Sequence, residues 1–193
     1  MRAFRALEVI RRRGSRDARL NVSRSGSREN PGVGLPFRHT DDELRNMYAG
    51  GRANSQARRY ARFWAAVFRS GLLPRRWVTL EVPGRHSGAP RRFPLGMATV
   101  NGERYLVSML GEGCNWVANV RAANGRARLI HGTSERVQLI EVPVAQRPSL
   151  LKAYLEQVPG ARPHLPVDRD ADIDAFVPIA ARYPVFRVAR RRA

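Results

Sequence analysis

One cysteine in 193 residues, Cys114, excludes an intrachain disulfide and fits a reducing, cytoplasmic setting. Histidine is almost as scarce. His39, His86, His131 and His164 are scattered, with no HExxH or CxxC spacing, so no metal centre is expected. No apolar run approaches the roughly 18 residues of a membrane span, and the opening "MRAFRALEVIRRRGSR" lacks the apolar stretch of a secretory signal. Lysine occurs once, at Lys152, so nearly all of the 35 basic residues are arginine. That skew fits a GC-rich genome as well as selection for guanidinium contacts, and arginine number alone carries little weight. Acidic residues are few too: 16 of them leave a net charge of +19 and a pI near 11.7. Such a chain calls for an anionic partner, whether nucleic acid, an anionic membrane surface or a polyanionic small molecule.

The position of the charge narrows the choice. Residues 47–92 contain ten basic side chains and one acid, the least compensated stretch of the chain. That segment ends in "PGRHSGAPRRFPLG", where Arg85, His86, Arg91 and Arg92 surround a Ser87-Gly88 turn. A Ser-Gly pair permits positive φ and offers backbone N–H groups, so the turn can hold an anion or be a solvated hairpin corner. No zinc finger, RNP-like aromatic motif or helix-turn-helix accompanies it, which argues against nucleic acid.

With 43% hydrophobic residues, the chain can build one domain with a core. Residues 1–46 mix Arg, Ser, Gly and Asn with little apolar periodicity and are expected to be a mobile basic leader, with Met47 as an alternative start. In residues 47–76, Tyr60, Phe63, Trp64, Val67 and Phe68 recur at helical spacing while Arg58, Arg62 and Arg69 share another face. This predicts an amphipathic helix, capped near Asn54 or Ser55 and stopped by Gly71 and Pro74, which packs on the domain or lies on an anionic membrane.

From Trp77 the period changes to that of strands. "WVTLEV", "RRFPLGMATV" and "RYLVSML" read as a meander, the last two joined by a type I′ turn at Asn101-Gly102. "CNWVANVRAANG" reads as a short helix ended by Gly125. "RARLIHG" and "ERVQLIEVPV" read as a hairpin turning at Gly132-Thr133. Helices near "PSLLKAYLEQV" and "ADIDAFVPIA" and a strand "YPVFRVA" complete the pattern. About six strands with short helices predict a mainly β (α+β) domain over residues 77–189, a small, partly open antiparallel barrel, with residues 190–193 as a basic tail.

The order Gly84-Arg85-His86-Ser87-Gly88-x-Pro90-Arg91-x-x-Pro94-Leu95, then a hairpin, Gly111-x-Gly113, Trp116-x-x-Asn119 and "VRAANGRARL" resembles the deazaflavin-dependent nitroreductase family over about residues 56–189. The resemblance implies an FMN-binding split β-barrel-like fold and hydride transfer between the deazaflavin coenzyme F420 and an organic acceptor of quinone, enone or nitro-aromatic type. The coenzyme carries a phosphodiester and an oligoglutamate tail, which suits a basic turn. By the same resemblance, Arg85, His86, Ser87, Gly88 and Arg91 bind phosphate and tail. Pro94, Leu95 and Gly96 run past the ring, Ser108, Met109 and Leu110 form a neighbouring wall on the partner strand, and Trp116 and Asn119 lie near the ring pocket. Ser108, Tyr154 and Tyr183 are the candidate proton donors. The family usually has lysine or arginine where this chain has His86. FMN suits a related barrel and turn, and the residues do not choose between the two cofactors. A non-catalytic carrier of flavin, deazaflavin or lipid is the second reading. A homodimer and peripheral contact with an anionic membrane are further expectations.

Overall fold

The structure is a computed structural model that describes residues 55–191, with side chains from residue 59 onward. The expected leader, the alternative start at Met47 and a cap at Asn54 lie outside the described residues. The chain begins with helix α1, Ser55–Arg69, whose Ala65 and Phe68 are buried. Two contacts fix it to the strand that follows. Thr79 Oγ1 donates to the Ala65 carbonyl at 2.7 Å, and the rings of Phe68 and Trp77 lie 5.3 Å apart. The aromatic face therefore packs on the domain, although Phe63 is 44% exposed. Gly71, at φ +75°, lies just past the helix end, as its sequence position suggested.

Six strands follow: β1 (Trp77–Pro83), β2 (Pro90–Val100), β3 (Glu103–Val107), β4 (Arg126–His131), β5 (Thr133–Glu141) and β6 (Val185–Arg190). Asn101 and Gly102 both take positive φ, 51° and 78°, which a type I′ turn between β2 and β3 demands. All pairings are antiparallel, in the order β1-β2-β3-β6-β5-β4. The barrel is closed rather than partly open. Short registers at β1–β4 and β3–β6 join the two hairpin groups and remove the free edges.

Strand alternation divides the apolar residues into two cores. Inward-facing Leu80, Val82, Met97, Leu106, Leu129, Val137, Leu139 and Phe186 fill the barrel. Helix α2 (Asn115–Ala122) adds Trp116, Val117 and Val120 to that filling. Gly125 ends the connection to β4 at φ +75°, where a Cβ would sit 2.2 Å from the Leu139 carbonyl oxygen. On the outside, helix α3 (Arg147–Gln157) lays Leu150, Leu151, Tyr154 and Leu155 in one cluster with Ala98, Val107 and Val185.

Two element predictions are corrected. β3 ends at Val107, so Ser108–Leu110 are not strand residues; the Ser108 N–H still donates in register to the Pro184 carbonyl at 2.9 Å, but Pro184 has no N–H to return. The expected helix in "ADIDAFVPIA" is a pair of 3₁₀ turns, Ile173–Phe176 and Ala180–Arg182, on either side of Pro178. Proline lacks the N–H that a continuous helix needs there.

Candidate functional site

The β1–β2 connection is held from within. Gly84 N–H donates to the Ala89 carbonyl at 2.9 Å and Gly88 N–H to the Gly84 carbonyl at 2.7 Å, with Gly88 at φ +66°. The Gly88 N–H thus closes the turn and is not offered to a ligand, contrary to the sequence expectation. What the turn does present is its exposed side chains, His86, Ser87 and Arg91. Arg92, also exposed, is committed to Glu81 at 2.8 Å. Among the described residues, no ion pair involves Arg91.

Arg85 is exposed as well, but it also bonds back to the protein. Its backbone N–H donates to Asn119 Oδ1 at 3.2 Å, and its Nη1 reaches both Asn119 Oδ1 and Asn115 Oδ1 at 3.3 Å. A guanidinium has five N–H donors in a rigid plane, and these contacts use one of its nitrogens, so the group can serve α2 and an anion together. Asn119 is only 4% exposed. It is therefore no surface amide but the anchor that fixes the cationic turn to α2. Asn115 completes the anchor and is missed by sequence reasoning; its place one turn before Asn119 on the same helix face is the available signal.

The N-terminal end of α2 continues toward Ser108. Cys114 precedes the helix, and burial pushes its thiol up, against weaker opposing contacts from the Ser108 hydroxyl and the Leu110 backbone. Burial of this kind disfavours the thiolate, which is the nucleophilic form. Ser108 is itself buried, and its hydroxyl donates to the Gly111 carbonyl at 2.7 Å. Glu112, in the same loop, pairs with Arg121 of α2. Ser108, Cys114, Asn115, Asn119 and the turn therefore form one continuous chain of contacts.

The remaining sequence candidates lie elsewhere. Trp116 is buried in the barrel, its ring 5.3 Å from Phe186. Leu95 is half-buried against the same core, and Pro94 pairs across from Thr79. Gly96 is covered by the end of α3: a Cβ there would lie 2.4 Å from Val158 Cγ1 and 3.3 Å from the Tyr154 hydroxyl. Met109 is half-buried against the outer core. Tyr154 is fully buried, which raises its phenol well above the usual range. Tyr183 donates its hydroxyl to the His164 carbonyl at 3.2 Å.

The hollows of the described surface include the following two. One, about 520 Å³, is bounded by residues 162–170 and includes none of these groups. The other, about 230 Å³, begins at Gly88 and Pro90 of the turn and runs along Arg126, Arg128, Arg136 and Arg191. No helix among the described residues is long and apolar enough to cross a membrane.

The family described as F420H(2)-dependent quinone reductase matches residues 52–177. No curated protein matches the sequence. Among solved structures, a protein described as a domain-swapped dimer is 21% identical, with a TM-score of 0.42 over 68% of this chain and 94% of its own. An F420-H2 dependent reductase is 21% identical, with a TM-score of 0.40 over 60% of this chain and 96% of its own. A FAD-binding protein from Mesorhizobium loti is 17% identical, with a TM-score of 0.41 over 66% of this chain and 88% of its own.

Proposed function

Since the chain belongs to the F420H2-dependent quinone reductase family, its cofactor is F420 and its activity F420-dependent oxidoreduction, and we propose that the turn at residues 84–91 seats the acidic part of that coenzyme. The observation that carries this reading is the anchoring of a cationic turn to α2 through Asn119. An anchored turn keeps Arg85, His86, Ser87 and Arg91 in place before a ligand arrives, which lowers the ordering cost of binding. The residues fit a polyanion: Arg91 is exposed and without a carboxylate partner among the described residues, and the Ser87 hydroxyl lies beside it in the turn. When bound, the reduced coenzyme supplies a hydride from its own ring carbon.

The protein's part is then to bind, orient and exclude water. Ser108, Met109 and Asn119 are the proposed rim toward the ring, whereas Gly96 and Trp116 serve packing. None of the three candidate proton donors is open to a substrate: Ser108 is bonded to Gly111, Tyr183 to His164, and Tyr154 is buried on the inner face of α3. Solvent is the proposed proton source for the reduced acceptor. A quinone is the proposed acceptor. Arg59, Arg62 and Phe63 project from α1, and their exposure supports peripheral contact with an anionic membrane, where quinones reside, by a protein of the cytoplasm. A homodimer is a further proposal, prompted by the domain-swapped relative.

The test is turnover. Reduced F420 mixed with the full chain and a soluble quinone is expected to be oxidised at a rate proportional to protein. Arg91→Ala is expected to weaken coenzyme binding roughly tenfold to hundredfold, as the loss of a charge-assisted contact does. Oxidation no faster than without protein contradicts the assignment of the acceptor. Unchanged affinity in Arg91→Ala moves the acidic part away from this turn.

A further inference from the structure

A run of polar contacts closes into a ring through α2. Ser108 N–H donates to the Pro184 carbonyl at 2.9 Å, and in the turn before Pro184 the Ala180 carbonyl accepts from Arg147 Nη1 at 3.3 Å. Arg147 Nη2 donates to Glu141 at 3.0 Å, and Glu141 accepts from Nη2 and Nε of Arg121 at 2.6 and 2.8 Å. Arg121 Nη1 donates in turn to Glu112, in the loop that starts at Ser108. Residues 108–114 are thus braced twice, against the chain before β6 at Ser108 and against α2 at Glu112.

The members of the ring are not equally firm. Arg147 is buried, and its Nε donates to the Val142 carbonyl at 2.9 Å. Arg121 is held by the two-pronged grip of Glu141. Glu112 is the weak member: its side chain is 52% exposed, and its one ion pair among the described residues is with Arg121. It stands between two glycines, and a Cβ on Gly113 would meet nothing within 4 Å, so packing does not fix the segment there. The bonds between Ser108 and Gly111 shape the turn but lie within the segment and do not tie it to α2. What lies under the segment is Cys114, whose thiol contacts the Ser108 hydroxyl and the Leu110 backbone.

We propose, on the strength of the rim assigned above to Ser108 and Met109, that Glu112 is a positioning residue for hydride transfer: latched on Arg121, it keeps residues 108–114 in the shape that lines the ring. Helix α2 then serves both sides of the coenzyme, the cationic turn through Asn119 and the rim through Arg121. An exposed ion pair shifts a two-state equilibrium by no more than about fivefold, so loss of the latch opens the segment without unfolding the protein. Hydride transfer depends steeply on alignment and slows with the fraction that opens.

Full-chain wild type, Glu112→Ala and Glu112→Gln test the latch by two readouts at about 0.05 M salt. The first is the single-turnover oxidation of bound reduced F420 by a saturating neutral quinone. The second needs no coenzyme: the rate at which a neutral maleimide labels Cys114, the only cysteine of the chain. Glu112→Ala is expected to transfer hydride about twofold slower and to label about twofold faster, with F420 affinity and unfolding temperature as in wild type. Glu112→Gln makes the same change of charge but keeps an acceptor for Arg121, and it should lie closer to wild type in both. Salt screens exposed pairs, so at about 0.5 M wild type should approach Glu112→Ala in both readouts. Equal transfer rates, or equal labelling, in wild type and Glu112→Ala overturn the proposal while leaving the coenzyme reading intact. An unfolding temperature lowered by several degrees in Glu112→Ala makes the residue structural and overturns it too. If none of the proteins oxidises reduced F420, the coenzyme reading fails and the positioning role falls with it.

Discussion

Asn119 links sequence to function most directly. Its side-chain oxygen accepts from the Arg85 backbone and guanidinium at once, so its replacement separates structural from electrostatic roles. Asn119→Leu leaves a partly buried backbone N–H without its partner, and about 1 kcal/mol of stability should be lost. Asn119→Asp keeps the acceptor and supplies Arg85 with an opposite charge, so the fold should hold. The same carboxylate cancels the charge offered to the coenzyme, and F420 affinity should fall about tenfold or more. Denaturant unfolding and coenzyme titration on the two variants check both halves. If Asn119→Asp binds F420 as well as wild type, charge on Arg85 is irrelevant to the ligand. At this scale the sequence was partly legible. The cations and the Ser-Gly pair mark a turn, but residue order alone does not show that Gly88 spends its N–H on closure, or that Arg85 folds back on an asparagine 34 positions away. Both depend on how α2 meets the β1–β2 corner, a contact distant in sequence.

Among the elements, the contact between β2 and α3 sets the tightest packing. Gly96 lies where α3 ends, and a methyl group there would meet Val158 at 2.4 Å. Gly96→Ala should therefore cost about 1–3 kcal/mol by overpacking. Val158→Ala opens that space, so the double variant should be more stable than the sum of the two single losses predicts. Urea unfolding of the four proteins gives the coupling, and strict additivity would show that α3 does not sit against β2 as described. The strands were legible because alternation survives in a barrel with one packed face, as in "WVTLEV". β3 was read too long because Ser108, Met109 and Leu110 continue a strand-like composition, while the Ser108 hydroxyl and the positive φ of Gly111 turn the chain. The segment around Pro178 was read as one helix because its apolar spacing is helical. Phe176 and Ala180 are indeed buried, but from two separate turns.

At the scale of the whole molecule, ion pairs tie distant parts of the barrel together. Glu141 on β5 accepts from Arg121 at 2.6 Å and from the buried Arg147 at 3.0 Å, and the Arg121 hydrogen bonds hold its carboxyl below the usual range. A carboxylate whose pKa is lower in the folded than in the unfolded state adds stability above its unfolded value, about 4.3. That stability is lost as pH falls through the folded value. Wild type should therefore weaken between about pH 5 and the folded value, and Glu141→Gln should show a shallower decline from a lower starting stability, the two curves converging in acid. Parallel curves would mean that Glu141 adds nothing through its charge. Closure of the barrel was not legible, because sequence shows which segments are strands but not that β1 finds β4 and β3 finds β6. The positive excess of residues 47–92 was legible; among the described residues its arginines lie on α1, in the connection to β1, in the turn and at the start of β2. The central claim is that this turn is an F420 seat, and equilibrium titration of the full chain with F420 and with FMN tests it most directly. The account predicts saturable binding of F420 at low-micromolar concentration or below, tighter than FMN and weakened by Arg91→Ala. Binding of FMN in preference to F420, or of neither, would contradict it.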